Sequence, residues 1–178
     1  MKRIIFILGG ARSGKSSYAL RLAAQIKGRV AFIATCSNPD KEMQERIRWH
    51  KLARPRNWRL VEEGSDIASI LTGLGNNYKA VIIDCLGLWV SNLLANGLKD
   101  GGIEKKFINF MKAVSKVKGC IILVSNDVGG GIVPDNLLAR RFRDLLGFLN
   151  QMVAENANQV IFMQCGIPME IKEAECKD

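Results

Sequence analysis

The segment Gly9-Gly10-Ala11-Arg12-Ser13-Gly14-Lys15-Ser16 constrains this chain more than any other. It follows the apolar run Ile4-Ile5-Phe6-Ile7-Leu8 directly and opens a helical pattern marked by Tyr18, Leu22 and Ile26. A G-x-x-x-x-G-K-[ST] sequence set between a strand and a helix is a phosphate-binding loop. Its glycines let successive backbone N–H groups turn toward one phosphate chain, and the helix beginning near Ser16 adds its positive end. In such a loop Lys15 reaches the β- and γ-phosphates, and the Ser16 hydroxyl is a ligand for Mg²⁺.

The rest of the chain alternates in the same way. Apolar strand candidates fall at Ile4–Leu8, Val30–Ala34, Ala80–Ile83, Cys120–Val124 and Gln159–Met163. They are short, nearly continuous and rich in Ile and Val, as strands buried on both faces are. Helical patterns separate them at Ser16–Ile26, Asp40–Ala53, Ser65–Leu71, Leu88–Ala95, Ile103–Lys116 and Asn136–Glu155. This predicts an α/β, P-loop NTPase-type fold, with a mainly parallel sheet flanked by helices on both faces. At 178 residues, without a repeat or linker, the chain reads as one domain over 1–178. The polar, Gly-rich stretch from Asn96 to Gly102 reads as a loop and the place for local mobility.

Composition narrows the partners and the compartment. A net charge of +9 favours acidic partners, which include nucleotides, phosphorylated substrates and nucleic acids. The five cysteines, Cys36, Cys85, Cys120, Cys165 and Cys176, form no C-x-x-C pair, and His50 is the single histidine. That argues against a zinc site and for reduced thiols in a cytoplasmic protein. The apolar run before the phosphate loop is too short for a signal peptide, and no run is long enough to span a bilayer.

Two further elements point to nucleotide chemistry. Val81-Ile82-Ile83-Asp84 is an apolar strand ending in a carboxylate, expected beside the first strand, where its acid would hold Mg²⁺ or the water around it. The segment Asp40–Pro55 looks helical and ends near Arg54 ahead of Pro55. Arg46, His50 and Arg54 share one face of it. Neighbouring cations disfavour the imidazolium, which keeps His50 neutral and nucleophilic near neutral pH, and the arginines could neutralise a phosphate brought to it. The same spacing also suits a plain basic helix end with His50 at the surface.

With these elements in place, the chain resembles the bifunctional adenosylcobinamide kinase/adenosylcobinamide-phosphate guanylyltransferase family of cobalamin biosynthesis. The resemblance runs through the phosphate loop, Ile33-Ala34-Thr35, the Asp40 to Pro55 segment with Trp58 and Glu62, and Asp84-Cys85-Leu86 with Trp89 and Asn92. It continues through Val124-Ser125-Asn126-Asp127-Val128-Gly129-Gly130-Gly131-Ile132-Val133-Pro134, Asn136, Leu138-Ala139-Arg140, Phe142-Arg143-Asp144, Gly147 and Asn150-Gln151. It implies two reactions. The aminopropanol hydroxyl of adenosylcobinamide is phosphorylated by ATP or GTP. GTP then guanylylates a histidine, and the GMP passes to adenosylcobinamide phosphate to give adenosylcobinamide-GDP. The histidine match falls on His50, with Lys15 as the other catalytic residue.

By the same matching, residues 9–16, Ala34, Thr35, Cys36, Lys51, Leu52, Ala53, Arg54, Glu62 and Asp84 bind nucleotide. Lys51 and Arg54 hold phosphates near His50, Glu62 contacts guanine or ribose, and Ser16 and Asp84 hold Mg²⁺. Residues 125–134 shape the site for the corrin arm, with buried loop packing as the competing reading. The resemblance also implies a homo-oligomer, with a trimer as one candidate. Three positions depart from the family pattern: Asp127 replaces a usual Glu, Gly64 stands where Pro often follows the Glu pair, and Asn158-Gln159 replaces Asp-Glu.

Three other readings compete. The first is a P-loop kinase of another small metabolite without the guanylyltransferase step, or a guanylyltransferase lacking the kinase step. The second is a nucleotide switch, for which the guanine-reading N-K-x-D sequence is missing. The third is a nucleic-acid binder using Arg46, Arg48, Lys51, Arg54, Arg56 and Arg59 with Trp49 and Trp58.

Overall fold

The computed structural model describes residues 2–36 and 54–173. Each of the five expected strands forms, as β1 (Arg3–Gly9), β2 (Val30–Ala34), β4 (Ala80–Asp84), β5 (Cys120–Val124) and β6 (Gln159–Gln164). Two more, β3 (Arg59–Glu62) and β7 (Ile167–Lys172), complete a seven-stranded sheet among the described residues. Its order is β3-β2-β4-β5-β1-β6-β7, and every neighbouring pair is parallel except β6 with β7. The described helices are α1 (Lys15–Ala24), α2 (Ile67–Leu74), α3 (Leu86–Ala95), α4 (Asp100–Val114) and α5 (Leu137–Asn156). The helix expected over Asp40–Ala53 falls almost wholly on residues outside those described.

Alternate residues of the central strands enter two cores, as the two-residue period of a strand requires. Phe6, Ile33, Ile83 and Leu123 pack under α2–α5, whereas Ile7, Phe32, Ile82 and Ile122 pack under α1. Among the described residues helices therefore cover both faces, but unequally. Trp89 is the largest fully buried side chain, wedged between Phe107 and Phe110 with ring centroids 5.5 and 5.0 Å away.

Three expectations need correction. β4 does not lie beside β1, because β5 sits between them. Strand content alone cannot rank neighbours in a parallel sheet, since every crossover is long enough to skip a place. Asp100-Gly101-Gly102 is not loop but the first turn of α4, with the Gly102 and Ile103 amides bonded to the Lys99 carbonyl. The chain also has two edge strands that apolar content does not reveal. β3 carries charge at both ends, and β7 contains Pro168 and is exposed throughout. Proline is tolerated there because one side of an edge strand makes no ladder bonds. Among the described residues no helix is long and apolar enough to cross a membrane.

Candidate functional site

In a parallel sheet the carboxyl ends of the strands meet at one edge, and ligands bind in the crevice beyond it. Gly9, Ala34, Glu62, Asp84 and Val124 all end strands at that edge. The phosphate loop leaves β1 there and turns into α1. Gly14, at φ +91°, is the N-cap of α1, a conformation that suits a residue without Cβ. A Cβ on Gly9 would lie 2.4 Å from the Met163 carbonyl oxygen, so no other residue fits at the strand exit.

Lys15 is buried and its Nζ donates to the Gly10 carbonyl at 2.6 Å, inside its own loop. Burial pulls its pKa below the ordinary lysine value, against the opposing pull of Cys85 and Asp84. Asp84 is therefore near enough to act on the Lys15 charge even though β5 separates their strands. α1 brings this about, because it begins at Lys15 and packs against both β5 and β4. Ser16 and Asp84 are both partly accessible at this edge. Ala11 and Arg12 at the tip of the loop are exposed, while Ser13 is buried.

Two segments brace the loop, and neither is apparent from the loop sequence. The Gly166 amide donates to the Ser13 carbonyl at 3.1 Å. Gly166 and Cys165 are the two residues of the β6–β7 turn, both with positive φ, as a two-residue hairpin turn of the primed type requires. Gly166, set between the apolar run of β6 and the run Ile167–Lys172, was the available signal. On the other side the Asp127 amide donates to the Gly9 carbonyl at 3.0 Å. Residues 125–134 thus start beside the phosphate loop. Ser125 is buried and bonded to Asn150 at 2.7 Å, but 127–133 are exposed, so buried packing does not account for that block.

At the other end of the edge, Thr35 is fully buried. Its hydroxyl donates to the Cys85 carbonyl at 2.7 Å and accepts from the Cys85 amide at 2.8 Å. That hydroxyl holds the exit of β4 rather than facing a crevice. Cys36 and Ala34 are partly accessible, and Glu62 is exposed. The Arg54 guanidinium lies 5.1 Å over the Phe32 ring, its pKa lowered by burial and held up by Glu62. His50, Lys51, Leu52 and Ala53 lie outside the described residues. Asn158 pins the opposite end of β1 through the Ile4 amide at 2.7 Å, so that departure from the family pattern falls away from this edge.

Family comparison decides which nucleotide enzyme uses this edge. The family model described as "Cobinamide kinase / cobinamide phosphate guanyltransferase" matches residues 5–171. The chain belongs to this family. It is 41% identical over 169 residues to the bifunctional adenosylcobalamin biosynthesis protein CobP of Pseudomonas aeruginosa, covering 93% of this chain and 95% of that one. It is 36% identical to the bifunctional adenosylcobalamin biosynthesis protein CobU of Escherichia coli, over 95% of this chain and 99% of that one. The CobU protein of Salmonella typhimurium is 35% identical over the same shares. A solved structure of a prototypical ATPase from the type III secretion system of pathogenic bacteria superposes with a TM-score of 0.56 at 13% identity. It covers 96% of this chain, which spans 58% of that one, and the likeness concerns the fold alone. In this cobinamide kinase/guanyltransferase family member, the ends of β3, β2 and β4, from Glu62 to Asp84, lie at the same edge of the sheet as the loop at 9–16.

Proposed function

We propose that the protein phosphorylates the aminopropanol hydroxyl of adenosylcobinamide with ATP or GTP, then transfers GMP from GTP through His50 to give adenosylcobinamide-GDP. The observation that carries this reading is the match over residues 5–171 to a family described by both activities. In the first step the substrate hydroxyl oxygen bonds to the γ-phosphorus, the nucleoside diphosphate leaves, and the proton goes to water. Lys15 exchanges the Gly10 carbonyl for the β- and γ-phosphates, where its charge offsets theirs. In the second step an imidazole nitrogen of His50 attacks the α-phosphorus of GTP and pyrophosphate leaves. An oxygen of the corrinoid phosphate then attacks the same phosphorus, the N–P bond breaks, and His50 is free again.

Ser16 and Asp84 offer hard oxygen donors on facing elements at the Lys15 end of the loop, a set that fits Mg²⁺ completing its shell with phosphates and water. That ion would screen the phosphate charge. Glu62, Cys36 and Arg54 stand toward β3, away from the phosphate loop, which suits the nucleoside. The corrin-arm reading of 125–134 is supported by the Asp127–Gly9 contact and by Ile132 and Val133 of the same block, 97% and 58% exposed. We include in this proposal one kinase/guanylyltransferase unit over 1–178 and a homo-oligomer. A cytoplasmic location also belongs to it, supported by Cys85, Cys120 and Cys165, which form no disulfide among the described residues.

The test separates the two steps. His50→Ala, supplied with adenosylcobinamide and GTP together, should accumulate the phosphorylated intermediate with no GDP-linked product. Normal formation of adenosylcobinamide-GDP by this variant would remove His50 as nucleophile, and with it the covalent route.

A further inference from the structure

One face of α3 takes no part in the chemistry above. Trp89, Asn92 and Asn96 lie along it, and their side-chain N–H groups reach segments that continue from β2 and β3. Trp89 Nε1 donates to the Ser65 carbonyl at 3.1 Å, and Asn96 Nδ2 donates to Ser65 Oγ at 3.3 Å. Asn92 Nδ2 donates to two carbonyls, those of Thr35 at 2.7 Å and Gly64 at 3.1 Å. A primary amide has two N–H groups, and these two acceptors match them.

The acceptors lie at functionally loaded places. Thr35 follows the end of β2 and precedes Cys36. Gly64 is buried and follows Glu62, the end of β3. The regular ladder between these strands ends with Glu63 N donating to Ala34 O at 2.9 Å, and past that bond Asn92 bridges the two segments. β4 and β5 separate β2 from the strand that carries the phosphate loop. We propose that Asn92 is a positioning residue for the nucleoside end of the site. Its amide sets the separation of the Thr35–Cys36 and Glu62–Gly64 backbones, independently of the phosphate end at Lys15. The inference rests on the proposed function, in which Cys36 and Glu62 face the nucleoside.

Chemistry distinguishes this role from simple packing. Asn92→Asp keeps the shape of the side chain but replaces both donors with oxygen lone pairs aimed at two carbonyl oxygens. Asn92→Ala removes the bridge without adding repulsion. The aspartate variant should therefore be the more damaged of the two, the reverse of what lost volume would produce.

The experiment compares two probes by calorimetry at a temperature where both variants are folded. GTP occupies both ends of the site, and inorganic tripolyphosphate occupies the phosphate end alone. Asn92→Ala is expected to weaken GTP roughly tenfold, as loss of one or two hydrogen bonds would. Asn92→Asp should weaken it further, with tripolyphosphate affinity unchanged in both. In GMP transfer the KM for GTP should rise more than kcat falls. Equal weakening of the two probes, or unchanged GTP affinity, would overturn the proposal. Wild-type protein that binds GTP but makes no GMP transfer would count against the proposed function while leaving the binding comparison to decide the role of Asn92.

Discussion

Thr35→Val replaces a hydroxyl by a methyl of nearly the same shape at a fully buried position. Its cost follows from what the hydroxyl holds. The Cys85 amide donates to Thr35 Oγ1 at 2.8 Å, and its loss leaves a buried N–H group unpaired, which costs about 1–3 kcal/mol. The Cys85 carbonyl loses the 2.7 Å bond from the same hydroxyl but keeps the Trp89 amide at 3.2 Å, so its share is smaller, about 1 kcal/mol. The expected loss is roughly 2–4 kcal/mol. Thr35→Ser keeps the hydroxyl and deletes one methyl group, at a cost of about 1 kcal/mol. For a chain of this length each kcal/mol moves Tm by about 2–4 °C, so the variants should separate by several degrees. Urea unfolding followed by tryptophan fluorescence reads the difference directly. If Val were as stable as Ser, the hydroxyl would not hold the β4 exit, and the reasoning would fail.

Other perturbations address the phosphate end and the thiols. Lys15→Ala should lower nucleotide affinity and phosphoryl transfer by about ten- to a hundredfold, the worth of charge-assisted bonds to phosphate. Lys15→Arg should recover only part, and near-normal turnover by the alanine variant would remove Lys15 from the site. Asp84→Asn should raise the Mg²⁺ concentration for half-maximal activity roughly tenfold, because an amide oxygen is a weaker ligand for a hard cation. An unchanged Mg²⁺ titration would make Asp84 a turn residue only. Burial, with Asp84 adding to it, pushes the Cys85 thiol from 9.0 up to about 12. A maleimide should therefore label exposed Cys165 in the folded protein and reach Cys85 only on unfolding. The unfolded thiol ionises first as pH rises, so its contribution to stability is present below about pH 9 and is lost toward about pH 12. Cys85→Ala should remove that part of the alkaline fall, as measured by unfolding free energies at several pH values.

Much of this protein is determined locally. The loop from Gly9 to Ser16 needs particular residues in a row, and the buried strands need continuous apolar runs, so both can be read from neighbours in sequence. The expected fold class and its five central strands follow from that, and so does Asp84 at a strand end. The tertiary structure decided what depends on distant partners. It placed β5 between β4 and β1, because parallel crossovers do not dictate which strand lies next to which. It made strands of Arg59–Glu62 and Ile167–Lys172, whose backbones pair at sheet edges without needing apolar side chains. It also turned Thr35, a residue expected to approach the nucleotide, inward, because the Cys85 amide across the sheet had to find an acceptor. Asn92 stood in the sequence as a motif residue without a task. Its two hydrogen bonds became visible only when α3 lay beside the segments that follow β2 and β3, where the Thr35 and Gly64 carbonyls accept from one amide group.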